Sequence, residues 1–509
     1  MTVGWGATAA VGAAAIGAAV LCVLVGRPQT AAGRTPARAA SRSAIWRENQ
    51  RPGNWKWLAG AAPSGAIEGY GSQLSVVAGQ TVDLHVRTDP AAPYRVAVYR
   101  LGWYGGAGAR LVACEPNCPG KRRGTSRHGR PRPIPPMDPA TGELSASWPV
   151  TDRIHTRRDW VSGEYLAQLV IGRGRNRGLA RWVPFVVRSS KPDPNSILVE
   201  VPVDTWEAYN DWGGKSLYDF NSSHGIAAVE VSFNRPWAYG EPNITFPVGF
   251  EYSLLQFMER NGLPLEYVTD VDVDEHPQLL LEHPLTIALG HGEYWSQGIR
   301  AAWDAAQDAG KNLAFLGADT GYWQIRYEDS HRTIVEYRSS TLDPEPAPSE
   351  KTNAFRSLDP PRPECQLEGV EFHSGGIYPP LVNSYTVVAS GNPWLTAAGL
   401  RPGDVLPHAV RDEWDAVTPG CVSPAPTVLL QYGGPYPADA TVLQTGAGGR
   451  VFALGTDGFG GLVDGFRQVH CTVNVKAEKF LRAALVDLGR VSAASLPAMP
   501  AACVNRPRG

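Results

Sequence analysis

The stretch Pro284–Asp319, PLTIALGHGEYWSQGIRAAWDAAQDAGKNLAFLGAD, decides the fold. It opens on a short, continuous apolar run, "PLTIALG", which predicts a buried strand. Glycines break the run, and Ser296, an N-cap residue type, heads "SQGIRAAWDAAQDAGKN". Apolar residues there recur at helical spacing until Gly310, a helix stop. "LAFLGAD" is a further apolar strand. A strand, a helix and a strand in one short segment are the repeating unit of a parallel sheet.

The same alternation extends outward. Upstream lie a buried strand, "SILVEVPV", a helix with a C-terminal glycine, "EYSLLQFMERNG", and a strand-like run, "LEYVTDVDVD". Downstream, from about Thr427, come "TVLLQYG", "ATVLQTG", "RVFALGTDGFGG" and a closing helix, "NVKAEKFLRAALVDLG". Together they predict an α/β domain with a doubly wound parallel sheet over 196–490. Before the proline linker "KPDPN" the period is different. Short alternating runs such as "QLSVVAGQTVDLHVRT" and "YRVAVYRLGWYGG" predict a β-sandwich over 61–189. A basic, proline-rich insertion, "CPGKRRGTSRHGRPRPIPPMDPATG", reads as a solvated loop. Residues 491–509 read as a tail.

Bulk composition narrows the function. A chain of 509 residues, 43% hydrophobic and 19% charged, is globular and large enough for two domains. A formal net charge of −2 argues against a general nucleic-acid or membrane-surface binder. Residues 1–26 carry an almost purely apolar segment, long enough to span a bilayer or to serve as a signal. The Ala- and Arg-rich residues that follow, within 27–60, read as a tether. Arg27, Arg34 and Arg38 after the apolar run would place the body on the cytoplasmic side. The "ARAA" site and the cysteines favour export, as a secreted or membrane-anchored protein. Apart from Cys22, six cysteines remain: Cys114, Cys118, Cys365, Cys421, Cys471 and Cys503. Cys114 and Cys118 could close a small loop, and the other four allow three pairings.

Ligands of open α/β sheets bind beyond the carboxyl ends of the strands. There the sequence presents "DTWEAYNDWGGKSLYDF", "GHGEYWS" and "GADTGYW". Thr205, Tyr209, His291, Glu293 and Asp319 are expected to converge on one edge, with Tyr252, at the start of a long helix, facing it. An H-x-E pair in a loop is usually a capping or hydrogen-bonding element, so the convergence carries the expectation. There is no G-x-S-x-G elbow, no cysteine at a strand-to-helix turn and no glycine-rich phosphate loop. A metal site or carboxylate acid–base chemistry remains.

The runs "YRVAVYRLGWYGGAGARLV", "TWEAYNDWGGKSLY", "SFNRPW", "GFEYSLLQFMERNGLPLEYVTDVDVD", "GHGEYWS" and "LAFLGADTGYWQIRYE" resemble the large subunit of N,N-dimethylformamidase and its relatives. The resemblance implies a β-sandwich followed by a domain similar to class I glutamine amidotransferases, without their cysteine. It implies an amidohydrolase with a mononuclear ferric site (Fe3+) held by two tyrosines and a glutamate. Carried over, Glu293 is the glutamate, Tyr209 the first tyrosine, and Tyr252 the second, with Tyr218 as the fallback. His291 matches an active-site histidine and Glu413 a candidate general base. Where the family has asparagine and lysine, this chain has Asp319 and Arg338. Thr205 and Trp295 are expected at the substrate, with Trp206, Trp212 and Tyr294 excluding water.

Phenolate and carboxylate oxygens suit a hard cation, and such an ion activates water for attack on a small or N-alkylated amide. Two other readings stand beside this one: a Zn2+ site on His291 and Glu293, and an exported, non-catalytic protein binding a small ligand or glycan. The family's small second subunit implies a partner here or, in its place, a homo-oligomer.

Overall fold

The computed structural model describes residues 42–117, 126–238, 248–375, 382–465 and 473–502. The chain is mixed α/β. A nine-stranded sheet forms its centre. Five of its strands run Ile197–Val201 (β1), Leu265–Thr269 (β2), Leu285–Ala288 (β3), Asn312–Phe315 (β4) and Arg450–Ala453 (β5). Their order is 2-1-3-4-5 and all four neighbouring pairs are parallel. Four antiparallel strands, Ala438–Gln444, Thr427–Tyr432, Val382–Val387 and Val405–Arg411, extend the sheet beyond β5.

The inner parallel strands are rich in apolar residues because both faces are covered. Ile197, Val199, Val201 and Ile287 point into a core shared with Leu254, Leu255 and Phe257 of one helix (Val248–Arg260) and Phe480, Leu481 and Leu485 of another (Val475–Leu488). Leu198, Val268, Ala288 and Leu313 point the other way, onto Ile299, Ala302, Trp303 and Ala306 of the helix Gln297–Asp308. Each fully buried Val, Leu, Ile or Phe among them contributes about 1.5–3 kcal/mol. Ser296 caps the last helix by accepting from the Ile299 amide, as its residue type predicts.

Ahead of the central sheet lie two smaller ones. One pairs Glu68–Gly71, Thr81–Arg87 and Asp152–His155; the other joins Ser75–Val77, Ala180–Arg188, Gly163–Ile171, Pro93–Leu101 and Ala109–Glu115. They share a core of alternating residues, including Val82, Leu84, Val96, Val98, Leu169 and Phe185. A fully buried ion pair ties the second sheet to the helix Val248–Arg260: Arg100 donates to both oxygens of Glu259, at 2.9 and 2.7 Å.

Three local expectations change. The described part of the tether, residues 42–60, is packed. Its helix Ala44–Asn49 buries Ile45, and Asn49 bridges Glu259 to the amides of Trp103 and Tyr104. The tail is anchored as far as residue 500, with Leu496 buried and Pro497 O accepting from Arg482. "LEYVTDVDVD" is a strand only to Thr269. There Thr269 and Asp272 form a capping box, and Asp270–Glu275 turns into a helix. Cys365 and Cys421 form a disulfide, and Cys114 is also disulfide-bonded. Cys118, Cys471 and Cys503 lie outside the described residues, as do the signal or anchor segment 1–26 and the core of the basic insertion, residues 118–125. No helix among the described residues is long and apolar enough to cross a membrane.

Candidate functional site

The strand order reverses between β1 and β3, and the crevice beyond the carboxyl ends of these two strands is where open α/β sheets bind ligands. β1 runs into the helix Val203–Tyr209, which carries Thr205 and Tyr209. β3 runs into Gly290–Glu293 and β4 into Gly317–Asp319. The two turns touch: a Cβ on Gly317 would lie 2.1 Å from the Gly290 carbonyl, and Gly290 itself sits at φ +69°. Glycine at both positions lets the chain bring His291 and Asp319 together. Thr205 is buried and accepts from the Tyr294 amide at 3.4 Å, so it holds the loop in place.

Glu293 is the hub. Its carboxylate accepts from the Tyr209 hydroxyl at 2.8 Å, the Tyr218 hydroxyl at 2.5 and 2.6 Å, and the Trp323 indole at 2.9 Å. The Tyr209 and Tyr218 rings stack with centroids 4.2 Å apart. His291 Nε2 lies 3.2 Å from the same carboxylate. Burial opposes ionisation of Glu293. The hydrogen bond and charge of His291, the Tyr218 hydroxyl and the charge of Arg338 outweigh it, holding its pKa below the ordinary value. Burial, then the charge of Glu293, holds both phenols well above theirs.

Behind His291 stand more carboxyl groups. Glu413 Oε2 and Asp457 Oδ2 are each 3.5 Å from its Nδ1. Glu413 is pushed up to about 7, by burial against the opposing charge of His291 and with that of Glu293. Asp319 and Asp457 are raised well above the carboxylate range, burial leading in both; Glu413 adds to the rise in each. Burial would strip His291 of its proton, but Glu413, Asp457 and Glu293 together raise its pKa well above the usual value. Asp457 and a further buried acid, Asp415, also fix the β4 turn: Asp415 accepts from the Asp319 amide and Asp457 from the Ala318 amide, both at 3.0 Å.

Arg338 closes one side. Its guanidinium lies 4.2 Å from the Tyr218 ring centroid and 4.8 Å from that of Trp323. It donates to the Tyr294 hydroxyl at 2.6 Å and to Glu336 at 3.1 Å. Asp319 and Arg338 both take φ of +53°, a backbone region that side-chain-bearing residues seldom adopt and that clusters at functional sites.

The structure therefore brings together Tyr209, Tyr218, His291, Glu293, Asp319, Arg338 and Glu413. It does not bring Tyr252. That hydroxyl donates to Gly108 O at 2.7 Å and its ring packs on Trp57, in the core between the helix Val248–Arg260 and the second small sheet. Tyr218 takes the expected place. Trp295 is also elsewhere: successive strand residues face opposite ways, so Tyr294 meets Arg338 while Trp295 stacks on Trp303 in the core. Trp212 belongs to a separate aromatic cluster with Tyr70 and Trp148. Asp457 and Trp323 were not anticipated, yet Asp457 follows β5 as Asp319 follows β4, and Trp323 lies within the run "GADTGYW".

Two phenol oxygens within 2.8 Å of one carboxylate form a hard donor set, anionic once the phenols lose their protons, that fits a highly charged cation. His291, Glu413 and Asp457 form a second group of metal-ligating types.

A family described as N,N-dimethylformamidase beta subunit-like, C-terminal, matches residues 95–471, and this chain belongs to that family. No curated protein matches the chain. The family description points to a hydrolase acting on amides, with a small-molecule substrate.

Proposed function

We propose that this protein is a metal-dependent amidohydrolase that cleaves a small or N-alkylated amide, with ferric iron held by Tyr209, Tyr218 and Glu293. The observation that carries this is the convergence of two phenols on one ionised, buried carboxylate at the sheet's reversal point. When bound, the ion polarises the amide carbonyl and acidifies a water.

The surrounding residues supply the rest. Trp323 and His291 fix the orientation of Glu293 from two sides. Glu413, with a pKa near 7, accepts the water's proton and returns it to the departing amine nitrogen. The products are a carboxylic acid and an amine. Arg338 is clamped by Tyr218, Trp323, Tyr294 and Glu336 and offers its free N–H edge to the substrate.

In the same reading, residues 61–189 form a β-sandwich and residues 196–490 a doubly wound domain similar to class I glutamine amidotransferases. The protein is exported, secreted or anchored through residues 1–26, and acts with a small second subunit or as a homo-oligomer. The test is metal analysis with a visible spectrum and an amine-release assay on simple N-alkyl amides, beside Glu293→Ala. Iron at one equivalent, with a tyrosinate band and amine release both lost in the variant, is expected. A colourless protein that takes up no iron and releases no amine overturns the reading in favour of a zinc site or a binding protein.

A further inference from the structure

Apart from the Glu293 cluster, the two small sheets and the turn after Tyr209 enclose a cleft of about 430 Å3, lined by Glu68, Ile134, Arg181, Asp211, Trp212 and Trp237. Small-molecule pockets run roughly 300–1,000 Å3. The cleft is preformed. Asn210 accepts from the amides of Trp212 and Ala238, at 3.3 and 3.0 Å, and Arg181 Nη1 donates to Ala238 O at 2.8 Å. Two opposite charges stand in it without a counter-charge. Arg181 is only 9% exposed, its Nε is taken by Ala62 O, and its Nη2 makes no hydrogen bond among the described residues. The carboxylate whose charge acts on it, Glu68, accepts from the Gly65 amide at 2.7 Å and faces Arg87 at 3.8 Å. Burial therefore pushes the guanidinium below its usual range, and Glu68 only partly offsets this. Asp211 forms no ion pair among the described residues, with Arg181 or with any other; Arg235, whose charge reaches it, is paired with Glu207.

We infer that this cleft binds a small zwitterion, an amino acid or its N-methylated form, with the carboxylate on Arg181 and the ammonium towards Asp211 and the two indoles. A guanidinium fork suits a carboxylate, and alkylated ammonium groups are drawn to tryptophan faces. A neutral ligand such as a sugar would cover both charges and pair neither, which is costly. A simple anion would answer Arg181 and be repelled by Asp211. The inference goes beyond the proposed function and does not rest on it, because none of the residues lining the cleft belongs to the tyrosine–glutamate set.

The test is calorimetry on the whole protein with glycine betaine as the probe, beside acetate, tetramethylammonium and methyl glucoside. Saturable uptake of one equivalent of betaine is expected. Acetate and tetramethylammonium, each carrying half of the charge pattern, are expected to bind more weakly by roughly tenfold or more. Asp211→Asn and Arg181→Gln are each expected to weaken betaine by a similar factor. Arg181 also holds Ala62 O and Ala238 O, so Asp211→Asn carries the test if the arginine variant fails to fold. No betaine uptake, or uptake indifferent to the variants that fold, overturns the inference. So does acetate binding as tightly as betaine, which marks a plain anion site, or methyl glucoside binding more tightly, which marks a sugar site.

Discussion

The sharpest consequence concerns two tyrosines. Tyr218 and Tyr252 both precede Glu293 in the chain, but only Tyr218 reaches its carboxylate. Removing each hydroxyl by Tyr218→Phe and Tyr252→Phe therefore has separable effects. Tyr252 is 2% exposed, and its hydroxyl is held between Gly108 O and the Gln256 amide. Phenylalanine there leaves a buried carbonyl and a buried amide short of a partner, at a cost of about 1–3 kcal/mol for such a loss. The ring contact with Trp57 stays, so the fold survives with a lower urea midpoint and unchanged slope. Under the proposed ferric reading, iron content and the visible band would remain those of the unaltered protein.

Tyr218→Phe behaves in the opposite way. Glu293 keeps Tyr209, Trp323 and His291, so the lost hydrogen bond to a charged group costs stability about 1.5–3 kcal/mol at most. The cation-π contact with Arg338 also survives, because the ring remains. In the proposed ferric site the metal would lose one of three protein donors, and the tyrosinate band would fall with it. The assay is iron per chain, the visible spectrum and urea unfolding on the three proteins side by side. A band that survives Tyr218→Phe and vanishes in Tyr252→Phe refutes the placement of the second phenol and the charge argument built on it.

Two further outcomes test the frame around the site. Glu259→Gln leaves Arg100 buried and uncompensated, with both residues fully enclosed, so unfolding free energy measured in urea falls by about 3–5 kcal/mol. Glu164, buried in the second small sheet, is raised from 4.5 to about 8 by burial and by the neighbouring Glu259. Its folded form holds a proton that the unfolded chain has released. Its contribution is therefore full below pH 4.5 and is lost as pH rises towards 8; in Glu164→Gln the fall in stability across that window is shallower, and an identical pH profile in the two proteins would contradict this account.

Where the sequence was legible, the physics was local. Strands buried on both faces read as near-continuous apolar runs, so "SILVEVPV" and "LAFLGAD" announce themselves, and the residues after them follow by position. His291, Glu293, Asp319 and Tyr209 were found this way. The same logic applied to "RVFALGTDGFGG" would have found Asp457. Other features depend on what packs against them. Alternation in "VTDVDVD" satisfies a strand and a first helical turn alike, and only the Thr269–Asp272 cap settles it. Tyr294 and Trp295 are neighbours of similar type, and the strand's phase decides which meets the site. Tyr252 faces the second small sheet, a surface that no residue near it in sequence reveals.

The charge balance of the crevice links its chemistry to its fold. Glu293, Asp319, Glu413, Asp415 and Asp457 are gathered around His291, with Arg338 at the rim. Buried carboxylates this close cannot all remain ionised without nearby positive charge. The chain's own answer is to protonate most of them, and the raised pKa values of Asp319, Glu413, Asp415 and Asp457 express that. Glu293 is held ionised by the phenols, indole, imidazole and guanidinium around it, while Glu413 and Asp415, both pushed up to about 7, exchange their protons near neutrality. Under the proposed function, a crevice with one firmly ionised carboxylate and several poised acids would exchange protons for a cation. In that reading, binding a cation and moving protons are the same property of this site, and the sheet's reversal point supplies the enclosed space for both.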